Sequence, residues 1–109
     1  MKFISKIEEI LLLSIWKLGD GAYGIAIREQ VEKDTGIKWL SGAVYAPLSR
    51  LKNNGLVRIR QAAKPTEMGG RPRIYYSLTK AGKKKLLFIQ KVNRGVWRDV
   101  PDLQNELRG

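Results

Sequence analysis

The sequence contains no cysteine and no histidine among its 109 residues. Disulfides and thiolate metal sites are therefore excluded, and the commonest metal ligand and general base is missing. We expect no metal site and no cofactor. An enzyme would have to use carboxylates, lysine or tyrosine, and the ten acidic residues show no pairing that suggests acid–base catalysis. An enzymatic function is not expected.

Long apolar runs are also absent. Runs such as residues 10–13 are far shorter than the roughly 20 residues that cross a bilayer. The first residues, MKFISKIEEILLLSIWKLG, place Glu8 and Glu9 ahead of the apolar run and lack a small-residue cleavage site. They predict a helix of the mature protein and not a signal peptide. We therefore expect a cytoplasmic protein without membrane contact, of a length that suits one domain.

Acidic residues are scarce in the middle of the chain. Residues 38–98 contain fifteen Lys and Arg and a single acid, Glu67, which gives this segment a net charge of +14. The rest of the chain contains six cations and nine acids, a net −3, so that the whole chain has +11. This segregation predicts a face that binds a polyanion. A coat of positive charge that only keeps the protein in solution is the alternative.

Apolar periodicity predicts a mainly α fold with a small β-hairpin. Helices are expected at residues 4–18, 23–34, 41–54 and 80–98, and strands at 56–62 and 73–78, around the polar loop KPTEMGGRPR. In the first strand Val57 and Ile59 are expected to face one way and Arg58 and Arg60 the other, and in the second strand Ile74, Tyr76 and Leu78 are expected to face inward. The first helix is apolar almost all round and the last over half its circumference, which indicates a dimer interface. The residues predicted to form this dimer interface are Ile7, Leu11, Ile15, Phe88, Ile89, Val92, Val96 and Trp97.

The helix within residues 41–55, SGAVYAPLSRLKNNG, has two dissimilar faces. Its predicted core stripe is Val44, Leu48 and Leu51, flanked by Pro47, whose missing N–H is expected to bend the helix slightly. Ser41 is expected to cap the free amides, and Gly55 to end the helix in a left-handed conformation. The opposite face and its margins consist of small or polar residues: Gly42, Tyr45, Ala46, Ser49, Arg50, Lys52 and Asn53.

The order of these elements is that of a winged helix-turn-helix followed by a C-terminal dimerisation helix. A helix of about 13 residues is about 20 Å long and fits a DNA major groove. Ser49 and Asn53 can reach base edges there, while Tyr45 can donate to a phosphate. In the wing, Gly70 lets the tip approach a backbone closely, and Arg71 has the charge to enter a narrow minor groove.

Three segments, YGIAIREQVEKDTG, SGAVYAPLSRLKNNGLV and GGRPRIYYSLTKAG, resemble in order and spacing the PadR family of bacterial winged-helix transcriptional regulators. The resemblance covers about residues 11–86. It implies a homodimeric repressor that pairs through the helix after the wing and the first helix. The residues predicted to bind double-stranded DNA are Tyr23, Lys38, Ser41, Gly42, Ala43, Tyr45, Ala46, Ser49, Arg50, Lys52, Asn53, Lys64, Gly70, Arg71 and Arg73.

The sequence departs from the family pattern in two places. Many members have the proline directly after the tyrosine, whereas here Ala46 separates Tyr45 from Pro47. Many also have a longer dimerisation domain, so the chain resembles the short subgroup, with residues 1–79 as the DNA-binding part and 80–109 as the dimerisation part of one compact unit. Some short members bind planar aromatic effectors beside a tryptophan. Trp97 and Val96 are the corresponding candidates here, with plain interface packing as the alternative.

Two other functions fit the charge. One is a nucleoid-associated or RNA-binding protein that binds nucleic acid without reading its sequence. The other is a winged helix that acts as a protein adaptor, which gains little from a +14 segment unless its partner is acidic. Competition with random duplex and single-stranded RNA separates the first of these from a sequence-specific regulator.

Overall fold

Five α-helices and a two-stranded hairpin make up the part of the chain that the computed structural model describes, residues 1–62 and 73–109. The first four helices and both strands begin and end within two residues of the predicted bounds. The tail after residue 98 contains a further helix. In order, the elements are α1 (Lys6–Leu18), a 3-10 turn (Gly19–Gly21), α2 (Gly24–Thr35), α3 (Ser41–Asn53), β1 (Val57–Gln61), β2 (Ile74–Leu78), α4 (Lys80–Trp97) and α5 (Leu103–Arg108).

The core lies where α1, α2 and α3 meet. Leu11 and Leu12 of α1, Ile27 of α2 and Leu48 of α3 are completely buried there. Removing such side chains from water is the main force that holds three short helices together, at about 1.5–3 kcal/mol for each Leu or Ile. The remaining buried apolar members of this cluster are Ile15, Ala22, Val31, Val44, Leu51, Leu56, Val57 and Leu78.

The two strands are antiparallel, with Val57 opposite Leu78 and Ile59 opposite Tyr76. Val57 and Leu78 are buried at the base of the hairpin, whereas Ile59 and Ile74 are exposed. The predicted inward orientation of Ile74 is therefore wrong as a statement of burial. Both Ile59 and Ile74 lie on the same side of the hairpin as Val57, farther along it than the buried pair Val57 and Leu78.

The ends of α3 agree only in part with the sequence. Gly55 has φ +74°, the left-handed conformation predicted for the helix stop. The N-cap, however, is Leu40 and not Ser41, and no side chain caps this end. Ser41 is the first helical residue, and its hydroxyl accepts a hydrogen bond from Arg28 instead. Pro47 is buried beside the core stripe, as predicted, within one uninterrupted helix.

The start of α4 is joined tightly to the end of α3. Thr79 caps α4 by accepting from the amide of Gly82, and its hydroxyl donates to the carbonyl oxygen of Gly55 at 2.6 Å. Its amide also donates to the carbonyl of Leu56 at 3.1 Å. A Cβ built at Gly82 would overlap that same Leu56 oxygen, so only glycine lets the two segments approach this closely. The motif LTKAG thus joins the start of α4 to the end of α3.

Beyond this joint α4 runs along one side of α1. The ring of Phe3, ahead of α1, packs against Phe88 with centroids 5.4 Å apart. After Trp97 the chain turns at Asp99, which has φ +59°, and continues into α5. Within residues 1–62 and 73–109, no helix has both the length and the apolar character that crossing a membrane requires.

Candidate nucleic-acid interface

The exposed face of α3 is the centre of the candidate interface. Val44, Pro47, Leu48 and Leu51 are buried, and every other residue of the helix is exposed. A Cβ built at Gly42 meets no atom within 4 Å, so this part of the surface stays open. The structure therefore brings the predicted residues of α3 onto one exposed surface, together with Lys38 in the preceding turn. These residues are Ser41, Gly42, Ala43, Tyr45, Ala46, Ser49, Arg50, Lys52 and Asn53.

Tyr45 does not extend freely from this surface. Its ring lies over the start of α2, where a Cβ built at Gly24 would be 2.5 Å from the Tyr45 hydroxyl oxygen. Burial of Tyr76, together with the neighbouring Tyr45, raises the pKa of the Tyr76 hydroxyl, so Tyr76 stays protonated at neutral pH. Gly24 is not among the predicted site residues, although the Tyr-Gly pair at the start of α2 could have pointed to it. Gly24 provides the space that Tyr45 occupies.

Arg28 fixes the turn between α2 and α3. Its Nε donates to the carbonyl oxygen of Trp39 at 2.9 Å, and its Nη1 donates to the Ser41 hydroxyl at 3.0 Å. The Trp39 indole N–H donates in turn to Thr35 Oγ1 at 3.3 Å. These bonds connect the two ends of the turn and so set the position of α3 relative to α2. Arg28 lies outside the predicted site, and no motif in the sequence distinguishes it from a surface arginine.

Four side chains stack in the order Arg73, Tyr23, Tyr75 and Arg60 at the end of the hairpin away from Val57 and Leu78, and we call them the Arg–Tyr ladder. The Arg73 guanidinium lies 4.4 Å from the ring centre of Tyr23, the Tyr23 and Tyr75 rings are 5.8 Å apart, and the Arg60 guanidinium lies 4.7 Å from Tyr75. Each cation–π contact at an exposed site contributes about 0.5–1 kcal/mol. The ladder places the predicted residues Tyr23 and Arg73 side by side and adds Arg60 and Tyr75, which the sequence analysis did not include.

The backbone reinforces this arrangement. Tyr23 and Tyr75 form an antiparallel bridge, and the Tyr76 amide donates to the carbonyl of Ala22 at 2.7 Å. The segment ahead of α2 therefore adds to the hairpin as a short third strand. The Ala62 amide donates to the Arg73 carbonyl, which continues the strand pairing by one step. The predicted wing residues Lys64, Gly70 and Arg71 lie outside the described residues.

A separate apolar groove, the α1/α4 groove, has a volume of about 660 Å³ and is lined mainly by residues of these two helices. Trp16 and Trp97 line it and are 58% and 64% exposed. The Lys83 ammonium lies 5.3 Å from the ring centre of Trp16. Of the two predicted effector residues, Trp97 lines the groove and Val96 is exposed beside it. The other lining residues are Glu9, Leu13, Leu78, Leu86, Leu87, Ile89, Gln90, Asn93 and Arg94.

The predicted dimer interface needs a correction on α1. Leu11 and Ile15 are 0% and 2% exposed and belong to the core of the single chain, so their side chains cannot meet a second subunit. The outward side of α1 consists instead of Leu13 and Trp16, which the sequence analysis did not select. Ile7, Phe88 and Val92 are half-buried, Ile89 is buried against the groove, and Val96 and Trp97 are exposed.

A three-helix core whose third helix lies exposed beside an antiparallel hairpin defines a winged helix-turn-helix. Comparison with known families is consistent with this class. The family model described as "Transcriptional regulator PadR-like family" matches residues 12–87, well over half of the chain. The chain belongs to this family.

Solved structures share the fold. A PadR-like transcription factor from Bacteroides fragilis is 27% identical, with a TM-score of 0.69 over 83% of this chain and 82% of the other. A PadR family transcription regulator from Clostridium difficile is 27% identical, with a TM-score of 0.62 over 94% and 98%. Bacillus subtilis PadR in complex with operator DNA is 20% identical, with a TM-score of 0.64 over 89% of this chain and 50% of that one. No curated protein sequence matches the chain.

Proposed function

We propose that the protein is a homodimeric, sequence-specific DNA-binding transcriptional repressor. The observation that carries this proposal is the exposed face of α3, which is made of small and polar side chains within a segment of net charge +14. A positively charged helix free of bulky side chains can enter a major groove and approach base edges. The shared fold with a PadR structure in complex with operator DNA supports the same function.

The roles of the α3 residues follow from their chemistry. Ser49 and Asn53 offer hydroxyl and amide groups to base edges, and Arg50 and Lys52 neutralise phosphates. Tyr45, held against α2, offers its hydroxyl to the backbone. The remaining proposed contacts from the helix-turn-helix are Lys38, Ser41, Gly42, Ala43 and Ala46.

The hairpin supplies the second set of contacts. Arg73, stacked on Tyr23, lies at the base of the wing together with Arg60. Arg71, Gly70 and Lys64 in the wing complete the proposal, with Arg71 at the minor groove. Phosphate contacts from the ladder position the protein, whereas base contacts from α3 and the minor groove give specificity.

Residues 1–79 would bind DNA, and residues 80–109 would pair the subunits. Trp16, Leu87 and Trp97 remain exposed in the single chain, and burial against a second copy would remove them from water. A two-fold dimer would place its two α3 helices about 34 Å apart, on successive turns of a pseudo-palindrome. Binding of a planar aromatic effector beside Trp97 and a cytoplasmic location remain part of the proposal.

Selection of fragments of the host genome by the purified protein tests this function directly. Sequencing the bound fragments should yield a pseudo-palindrome with half-sites about 10 base pairs apart. Affinity for it should fall by about 10³-fold or more between 50 and 200 mM salt if at least six phosphates are contacted. Ser49→Ala should alter the preference at one half-site position, whereas Arg50→Ala should weaken binding to all sequences.

Competition decides between this function and binding without sequence readout. Random duplex should compete for the protein about 10³-fold less well than the selected site. Equal competition by random duplex or by single-stranded RNA would contradict sequence-specific regulation and favour a nucleoid-associated or RNA-binding protein. A reporter placed behind the selected site should then be less active when the protein is present, and increased activity would contradict repression.

A further inference from the structure

Helix α5 has an apolar face that stays largely exposed in the part of the chain that the structure describes. Leu103 and Leu107, at i and i+4, share one side of the helix and are 56% and 85% exposed. Asp102 caps the helix by accepting from the amide of Asn105 at 3.0 Å. A helix of six residues is not stable in water by its hydrogen bonds alone, because nucleation costs more than so few bonds return. A capped helix with an unpartnered leucine pair therefore requires a surface to pack on.

The connection from α4 directs α5 away from its own chain. Asp99 is in the left-handed region, with φ +59°, and Pro101 restricts the next step. The Val100 amide donates to the carbonyl of Trp97 at 3.3 Å, which closes the turn. Every residue of α5 is exposed in this geometry. No residue of α5 lines the α1/α4 groove of the same chain.

The charges of α5 and α4 are complementary. Residues 99–109 contain Asp99, Asp102, Glu106 and one cation, Arg108, a net −2. Helix α4 contains six cations and no acid. Two of these cations, Lys83 and Arg94, line the α1/α4 groove beside its apolar residues, and one acid, Glu9, lines it as well, so the charge of the lining is net positive. The groove therefore matches α5 both in apolar surface and in sign of charge.

We propose that α5 of one subunit docks into the α1/α4 groove of a second copy of the chain. Leu103 and Leu107 would pack against Trp16 and Leu87 of the second copy, and Glu106 would face its Lys83. The proposal rests on the homodimer of the proposed function. Two-fold symmetry makes the contact reciprocal, so each subunit gives one α5 and receives one.

The length of α4 fits this exchange. Its 18 residues span about 27 Å. When two copies pack with their α4 helices antiparallel, the end of one lies beside the start of the other. The turn at Asp99 then delivers α5 to the part of the partner groove that contains Lys83 and Leu87. The acidic residues of α5 thereby reach the most basic part of the partner's α4, residues 80–85.

Crosslinking between single-cysteine variants tests the contact, because the natural chain has no cysteine. Leu107→Cys and Leu87→Cys proteins, mixed and treated with a short bis-maleimide, should give a covalent heterodimer. The matched control replaces Leu87→Cys with Ile25→Cys, an exposed position on α2, and should give little product. A yield no higher than that of the control would overturn the proposal. A chain that carries both Leu107→Cys and Leu87→Cys gives a second test. If its crosslinks form within one chain and not between chains, the proposal is overturned, since α5 would then dock on its own subunit.

Sedimentation measures how much the docking of α5 stabilises the dimer. Leu103→Lys with Leu107→Lys should raise the dimer dissociation constant about tenfold or more, while Gln104→Lys on the same helix should change it little. Glu106→Lys should raise it several-fold, and adding Lys83→Glu to that variant should recover most of the loss. An unchanged constant in the leucine variant, with dimeric operator binding intact, would overturn the docking of α5 and leave the proposed function standing. A natural chain that binds its operator as a monomer would overturn the homodimer and the docking together.

Discussion

The ring of Tyr45 on α3 occupies the space above Gly24 on α2, where any larger residue would place a Cβ 2.5 Å from the tyrosine hydroxyl oxygen. Gly24→Ala should therefore push Tyr45 off α2. Because the end of a half-exposed side chain can swing away, the melting temperature should change by no more than about 3 °C. Operator affinity should fall about tenfold, because Tyr45 then leaves its proposed position at the DNA backbone. Titration of labelled operator by fluorescence anisotropy measures this loss.

A double-mutant cycle gives the control for this prediction. In a Tyr45→Ala background, Gly24→Ala has no ring to displace and should not weaken operator binding further. Additive losses in the cycle would show that Gly24 acts on DNA binding independently of Tyr45.

Gly82→Ala should be among the most destabilising single changes in the chain. The added Cβ would overlap the backbone oxygen of Leu56, which cannot move without separating α4 from the end of α3. Overpacking of this kind costs about 1–3 kcal/mol or more in the free energy of unfolding, measured by urea denaturation. Gly95→Ala in the same helix is the control, since its Cβ meets no atom within 4 Å. It should stabilise the helix by about 0.5–1 kcal/mol, and equal effects of the two changes would contradict the steric explanation.

Arg28→Lys should weaken DNA binding despite keeping the charge. A lysine cannot donate at once to the Trp39 carbonyl and the Ser41 hydroxyl in the planar geometry of a guanidinium. Stability should fall by about 1 kcal/mol, and operator affinity should fall further because α3 is no longer fixed relative to α2. Lys33→Ala, an exposed change on the same helix, should alter neither. Operator binding equal to that of the natural chain would show that the turn holds its position without Arg28.

The ion pair between α1 and α2 gives a prediction for pH. Lys17 Nζ donates to Asp34 Oδ2 at 2.8 Å, and with the Gln30 amide it lowers the pKa of Asp34 below its usual 3.8. Because the pKa of Asp34 is lower in the folded than in the unfolded state, the Asp34 charge adds stability at pH values above the unfolded pKa. That stability is lost as the pH falls through the folded pKa. Asp34→Asn should therefore reduce the melting temperature slightly at pH 7, and the difference should shrink as the pH falls through the folded pKa of Asp34.

Glu32→Gln serves as the comparison, since Glu32 forms no ion pair within residues 1–62 and 73–109. It should leave the pH profile of the melting temperature unchanged. A constant difference between Asp34→Asn and the natural chain across the whole pH range would contradict a role for the Asp34 charge.

The elements of this fold could be predicted because each is encoded locally. The i, i+4, i+7 stripe of Val44, Leu48 and Leu51 located both the helix and its exposed face, and Gly55 located its end. Burial was harder to predict, because it depends on how far each element extends past its neighbours. Ile59 and Ile74 follow the right alternation, yet they lie beyond the core.

The precise contacts of the site could not be read from periodicity. Arg28 and Gly24 act through a neighbouring helix, and their partners Ser41 and Tyr45 are far along the chain, so no spacing rule connects them. On α1, a helix apolar almost all round does not tell which side is internal. The prediction therefore assigned Leu11 and Ile15 to the interface, when the outward side consists of Leu13 and Trp16.

The joint at Thr79 and Gly82 attaches α4 directly to the end of α3, the helix proposed to contact DNA. Gly55, which ends α3, and Leu56, on which Gly82 packs, are adjacent residues, so a tilt of α4 is transmitted with almost no slack to the end of α3. Over the roughly 27 Å length of α4, a tilt of about 6° moves its far end by about 3 Å. In the proposed dimer, a small movement at Trp97 would therefore change the distance between the two α3 helices.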